Sequence, residues 1–202
     1  MRAGLFPGVK ANTHFRRKEK SYANKKKSYT RYFDSSIHDR EEIANQRGRL
    51  GDYEGDTVYG SVGKGYLITG VDRQSRLTVA AIARDKTIES TNTAFIAAFR
   101  KAKLVPPITL TLDNGTEFLG FKDLEQALGT KVYFADAHAP WQRGSNENIN
   151  GLIRFFFPRG TDFTKVTDEQ LDAVLELINN RPRKCLGYLS PNEFINKVLH
   201  LA

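Results

Sequence analysis

A chain of 202 residues with 40% hydrophobic side chains can build one sizeable core, which excludes both a short disordered peptide and a large multidomain enzyme. Its 31 Lys and Arg against 23 Asp and Glu give +8, but residues 1–50 hold 13 basic and 5 acidic side chains while the other 152 residues hold 18 of each sign. A basic arm on a balanced body implies an anionic partner; the lone Cys185 excludes an internal disulfide and points to a reducing cytosol; and no apolar run is long enough for a membrane span or signal peptide.

From Met1 to about residue 50 the chain is polar, with Lys25, Lys26 and Lys27 among tyrosines and no clean periodicity. It reads as a partly disordered or extended tail, or as a nucleic-acid arm whose cations displace counterions from phosphates. Residues 51–202 form the body. Short apolar runs at 53–59, 66–72 and 76–83, separated by glycines and polar turns, predict three antiparallel strands in a meander. A helix is expected over 88–102 and is stopped by Pro106 and Pro107; a buried strand follows at 108–112, then a helix at 121–128 and a strand at 131–134. Further helices are expected at about 146–157, 168–180 and 191–200. This order predicts an α/β protein with a mixed five-stranded sheet, three antiparallel strands then two further strands, and helices on both faces. The ribonuclease-H-like fold has that order.

Soft metal ligation is excluded, since Cys185 is alone and His14, His38, His138 and His200 lack zinc-type spacing. The Gly60–Gly65 stretch fails as a phosphate loop because Lys64 precedes Gly and a strand follows. Carboxylates remain. Asp56 lies inside the first strand, where an aspartate is costly to bury unpaired, although a sheet edge facing water would also suit it. Asp113 ends its strand before an Asn114-Gly115 turn, at the carboxyl end where open sheets place ligands; ordinary turn chemistry is the alternative.

Glu147 lies early in a helix with Ser145 or Asn146 as N-cap and a buried stripe of Ile149, Leu152, Ile153 and Phe156. It clusters with Asn150, Gly151 and Arg154 on the other side, and as a lone residue would be a first-turn glutamate favoured by the helix dipole. The topology sets the strands of Asp56 and Asp113 side by side, with the Glu147 helix able to reach over them. Three such carboxylates would repel one another unless hard divalent cations, Mg²⁺ or Mn²⁺, neutralised them. Two ions of this kind can drive phosphodiester displacement, and the basic arm makes nucleic acid the substrate.

The motifs Glu54-Gly55-Asp56, Leu112-Asp113-Asn114-Gly115-Thr116-Glu117-Phe118 and Trp141-Gln142-Arg143-Gly144-Ser145-Asn146-Glu147-Asn148 resemble the IS-thirty family of bacterial insertion-sequence DDE transposases, which have a retroviral-integrase-like catalytic core. The likeness continues through Phe157-Pro158-Arg159-Gly160 and Asn179-Asn180-Arg181-Pro182-Arg183-Lys184, with 33 residues between Asp113 and Glu147 as in that family, and it covers about Ile37 to the C-terminus. It departs at Tyr53, where the family usually has Trp, and at Phe155, where a polar residue often follows the Arg.

The resemblance implies that Asp56, Asp113 and Glu147 are the catalytic, metal-binding triad, that two Mg²⁺ or Mn²⁺ ions serve each site, and that the reaction is DNA cleavage followed by transfer of a 3′-hydroxyl. It also implies homo-oligomers working on DNA ends in a bacterial cytoplasm, with neither a membrane nor a small-molecule substrate involved. Arg143, Arg154, Arg159, Arg181, Arg183 and Lys184, with Lys25, Lys26 and Lys27 of the arm, are the candidate DNA contacts, and Trp141 and His138 lie in the loop before the Glu147 helix. Residues 1–50 do not read as the helix-turn-helix region family members carry, so a core piece, a truncated copy or a partial reading frame is expected. A non-catalytic DNA-binding or regulatory fragment and a stand-alone nuclease of the same fold are the alternative functions.

Overall fold

The computed structural model describes residues 35–101, 104–137 and 139–200; Lys25, Lys26, Lys27 and His138 lie outside the described residues. Strands β1 (Asp52–Tyr59), β2 (Tyr66–Asp72) and β3 (Thr78–Ala83) form the antiparallel meander, and β4 (Thr109–Leu112) and β5 (Lys131–Phe134) add in parallel on the other side of β1, giving the order β3-β2-β1-β4-β5. The helices are α1 (Glu42–Asn45), α2 (Ile88–Lys101), α3 (Phe121–Leu128), α4 (Gly144–Phe156), α5 (Asp168–Asn179) and α6 (Pro191–His200).

Period-two alternation divides the sheet between two cores. Tyr53, Ile68, Leu110 and Leu112 meet Phe95 and Phe99 of α2, Leu124 of α3 and Ile195 of α6. On the opposite face Val58, Leu67, Val71 and Ala80 meet Ile149 and Ile153 of α4 and Leu171, Leu175 and Ile178 of α5. The exposed edge of β3 is blunted by Asn179, whose side-chain amide donates to the Thr78 carbonyl and accepts from the Thr78 N–H, both at 2.8 Å.

The structure departs from the sequence reading in three places. Residues 35–50, grouped with the arm by composition, pack on the body: Ile37, Arg40 and Ala44 are buried, and Ser36 bridges Phe134 in parallel. Their polarity hides this because the buried cation Arg40 spends its donors on Asn45 and Thr111. Helix α4 begins at Gly144, and neither Ser145 nor Asn146 caps it; both are buried inside its first turn, because the Ser145 N–H donates to the carboxylate of Glu54 at 2.9 Å. The buried side of α4 is accordingly Ser145, Asn146, Ile149 and Ile153. Phe156 is 38% exposed, and Phe157, just past the helix, is buried against Phe163 in its stead.

Gly55, between Glu54 and Asp56, allows α2 to close on β1. A Cβ there would stand 2.5 Å from Leu112 Cδ2 and 3.2 Å from the Phe95 ring. Gly55→Ala is expected to cost about 1–3 kcal/mol through overpacking, read as a lower urea midpoint with unchanged slope.

Candidate active site

The site grows out of strand register. Parallel pairing sets Glu54 opposite Thr111, and two residues further along each strand are Asp56 and Asp113, on the face that carries α4. Thr109 and Thr111 share that face, while Leu110 and Leu112 turn into the α2 core. The two aspartates meet on one guanidinium: Arg143, from the turn leading into α4, lies 3.4 Å from Asp56 Oδ1 and 3.3 Å from Asp113 Oδ2. Arg143 also donates to the Gly55 carbonyl, and its own Nε is buried without a partner.

Asp56 is further held by Asn150 of α4, whose amide donates to Oδ2 at 2.7 Å, and by the Thr57 N–H on Oδ1 at 2.9 Å. Asp113 accepts from the Gly115 N–H at 2.9 Å, the turn geometry expected of Asp-Asn-Gly. Burial pushes the Asp113 carboxyl above its ordinary range; Arg143 and the Gly115 N–H pull it back down, and the charges of Asp56 and Glu117 reinforce the rise. Glu117 is itself turned toward β1, accepting from the Tyr59 hydroxyl at 2.7 Å.

Glu147 does not join them. It is solvent-exposed, and among the described residues there is no group of three or more carboxylates, histidines or cysteines placed to hold a metal. Helix geometry supplies the reason. Counting about 100° per residue from the direction set by Asn146, Ile149 and Ile153, Asn150 lies on the flank facing Asp56, and Glu147 lies on that flank but roughly 60° farther from the core. Arg154 shares the flank; it is partly buried, one terminal nitrogen has no partner, and burial with Arg159 nearby lowers its pKa.

The other sequence candidates fall elsewhere. Arg159 and Trp141 are exposed. Arg181, Arg183 and Lys184 line a separate cavity beyond the opposite flank of α4. Sequence reasoning missed the roles of Arg143, as the cation between the aspartates, and of Glu54 and Asn150. The alternation of β1 already put Glu54 on the face of Asp56, and Asn150 lies one turn beyond Glu147, so both signals were present without a partner to interpret them. As a donor set the hard oxygens of Asp56 and Asp113 suit Mg²⁺ or Mn²⁺, and a positive charge already sits between them. The fit is to two carboxylates as arranged, with Glu147 apart.

Residues 47–140, which include both aspartates, match the integrase core domain family. The chain is 38% identical over 198 residues to the transposase for insertion sequence element IS4351 of Bacteroides fragilis, covering 96% of this chain and 60% of that protein. It is 40% identical over 161 residues to the transposase InsI for insertion sequence element IS30A of Escherichia coli strain K12, covering 80% of this chain and 42% of the relative. It thus spans about half the length of these relatives. The catalytic core domain of BIV integrase superposes with a TM-score of 0.56 at 17% identity, over 76% of this chain and 98% of the other, a likeness of ribonuclease-H-like fold. Sheet order, the motifs around both aspartates and these similarities together show an integrase-type core similar to that of the IS-thirty insertion-sequence transposases.

Proposed function

We propose that this core cleaves a DNA strand and joins the freed 3′-hydroxyl to a target phosphodiester, with Asp56, Asp113 and Glu147 as the reacting carboxylates. The observation that carries the reading is the meeting of Asp56 and Asp113 from adjacent parallel strands on a single cation. Joining forms one P–O bond, to the incoming 3′-oxygen, and breaks one, to the target 3′-oxygen. Phosphodiesters are conserved, and the protein's task is to position both strands and steady the charge gathered at phosphorus.

Asp56 and Asp113 would hold divalent Mg²⁺ or Mn²⁺, with two ions proposed per site and Glu147 as the third carboxylate. When bound, such ions supply Lewis acidity for displacement at phosphorus. Asn150 fixes the Asp56 carboxylate by its hydrogen bond, leaving Oδ1 turned toward Asp113 and Arg143. Arg143 offsets one of the two charges of the pair and, swung outward, offers its fork to a backbone phosphate. Arg154, on the same flank of α4, is placed for a second phosphate contact, and exposed Trp141 and Arg159 for the approaching strand. The proposed partners are element ends and target duplex, with the protein acting as a homo-oligomer on DNA in the bacterial cytoplasm. No helix among the described residues is long and apolar enough to cross a membrane.

Asp56→Asn, Asp113→Asn and Glu147→Gln should each abolish Mn²⁺-dependent joining of a 3′-OH oligonucleotide while DNA binding survives. Nicking without joining would make the protein a nuclease, and near-normal joining by any one variant would remove that residue from the site. Because Arg143 and a metal ion compete for the same oxygens, Arg143→Ala should bind Mn²⁺ about tenfold more tightly in a calorimetric titration, equivalent to roughly 1.4 kcal/mol. Weaker binding would make Arg143 a support for the site and not a competitor. Replacing Lys25, Lys26 and Lys27 together by Ala should flatten the plot of log affinity against log salt by about two to three; an unchanged slope would make the arm a tail that does not touch DNA.

A further inference from the structure

On the flank of α4 away from Asp56, a cavity of about 460 Å³ opens between the first turns of the helix and the segment joining α5 to α6. Its charged lining is entirely basic: Arg47, Arg76, Arg181, Arg183 and Lys184. Among the described residues none of the five forms an ion pair with a carboxylate. This is not the ordinary mixed surface of a body whose charges balance. Five like charges around one concavity repel each other and raise its potential, a cost that an anion from solution removes. Burial and the neighbouring Arg181 already push the Arg183 guanidinium down, and its Nε is buried with no hydrogen-bond partner.

The lining has a second character. Ile149, Leu152 and Pro182 give it an apolar floor, so cations surround a surface suited to a flat, weakly polar group. The volume exceeds what a lone phosphate needs and falls within the roughly 300–1,000 Å³ typical of ligand clefts. Gly144 and Ser145 of the first turn of α4 also line the cavity, but the Ser145 N–H is already taken by the Glu54 carboxylate, so the field there is that of the five side-chain cations. Arg76 is fixed in place by its hydrogen bond to the Ser145 hydroxyl.

We propose that this cavity is a nucleotide-backbone site, binding a phosphodiester with its adjoining sugar or base from a DNA strand other than the one reacting at Asp56 and Asp113. The two places cannot share a phosphate. They lie on opposite flanks of α4, and the helix with its side chains is about 10 Å across. The choice of DNA rests on the function proposed above; the basic, apolar-floored chemistry does not.

Cys185 lines the cavity, is exposed and is the sole cysteine of the chain, so it reports occupancy without turnover. In EDTA, a 12-nucleotide single-stranded DNA at low salt should slow reaction of Cys185 with a disulfide reagent about tenfold, as near-complete occupancy requires. Arg181→Glu should erase most of that protection and Arg181→Lys should keep it; Arg181 is exposed, so neither change threatens the fold. Unchanged Cys185 reactivity while fluorescence anisotropy shows the oligonucleotide bound would overturn the site. Protection by inorganic phosphate at matched ionic strength, with none from the oligonucleotide, would overturn its assignment to a strand. Protection in a protein that fails to join DNA in Mg²⁺ would leave the cavity standing and overturn the strand-transfer reading alone.

Discussion

A buried ion pair between Glu54 and Arg73 sets the geometry on which the site depends. Both side chains are almost wholly removed from water, at an expected cost of several kcal/mol per ion, and such a pair persists only when its remaining donors and acceptors are met. They are met here by the elements that build the site. One Glu54 oxygen takes Arg73, and the other takes the Ser145 N–H at the start of α4. Arg73 Nε donates to Ala44 in the segment before β1, and Arg40 of that segment reaches Thr111 of β4, two residues before Asp113. Burial lowers the Arg73 pKa and the Glu54 charge opposes the change. The network thus fixes β1 at Glu54, β4 at Thr111 and α4 at Ser145, each within a turn or two residues of a group proposed to act on DNA. Removing either ion would leave the other buried without a partner, which costs about 3–5 kcal/mol in comparable sites.

Anchoring α4 by its first turn makes the helix a partition. Its core-facing stripe of Asn146, Ile149 and Ile153 is locked against β1 and β2 by packing and by the Asn146 amide on the Gly55 carbonyl. Asn150 consequently faces Asp56, with Arg154 on the same flank, while Ser145, Asn148 and Leu152 face the basic cavity.

The sheet and its helices were legible because their signals are local: period-two runs between glycines, apolar stripes at i, i+3, i+4 and i+7, and the proline stop after α2. Asp56 and Asp113 were legible for the same reason, since alternation and strand order alone set them on one face of neighbouring strands. What escaped was tertiary. The packing of residues 35–50 depends on Arg40 and Ile37 finding distant partners, which composition cannot show. The start of α4 was misjudged because its cap comes from Glu54, 91 residues away, and a search for a neighbouring Ser or Asn looks in the wrong place. Phe157 takes the place expected of Phe156 for a separate reason: it lies past the last helical residue with φ −120° and ψ 81°, where helical periodicity no longer sets its direction, and it packs on Phe163. The cavity draws its five cations from three separate stretches of chain, each of which reads by itself as solvated charge.

Charge adds to helix geometry in keeping Glu147 apart. Asp56 and Asp113 with Arg143 between them carry a net −1, in a cleft where burial already raises Asp113. Bringing in a third carboxylate would make that −2, and at an effective dielectric of about 20 each added like-charge contact near 4 Å costs roughly 4 kcal/mol. Solvation of Glu147 at the helix surface is the cheaper arrangement, and Asn150, a neutral donor, takes the place facing Asp56. Exchanging the single guanidinium charge for two divalent ions would reverse the sum to +1 with all three carboxylates gathered, a balance suited to an incoming anionic phosphate. On the function proposed above, the total positive charge between the two aspartates would therefore set whether a third carboxylate is tolerated beside them.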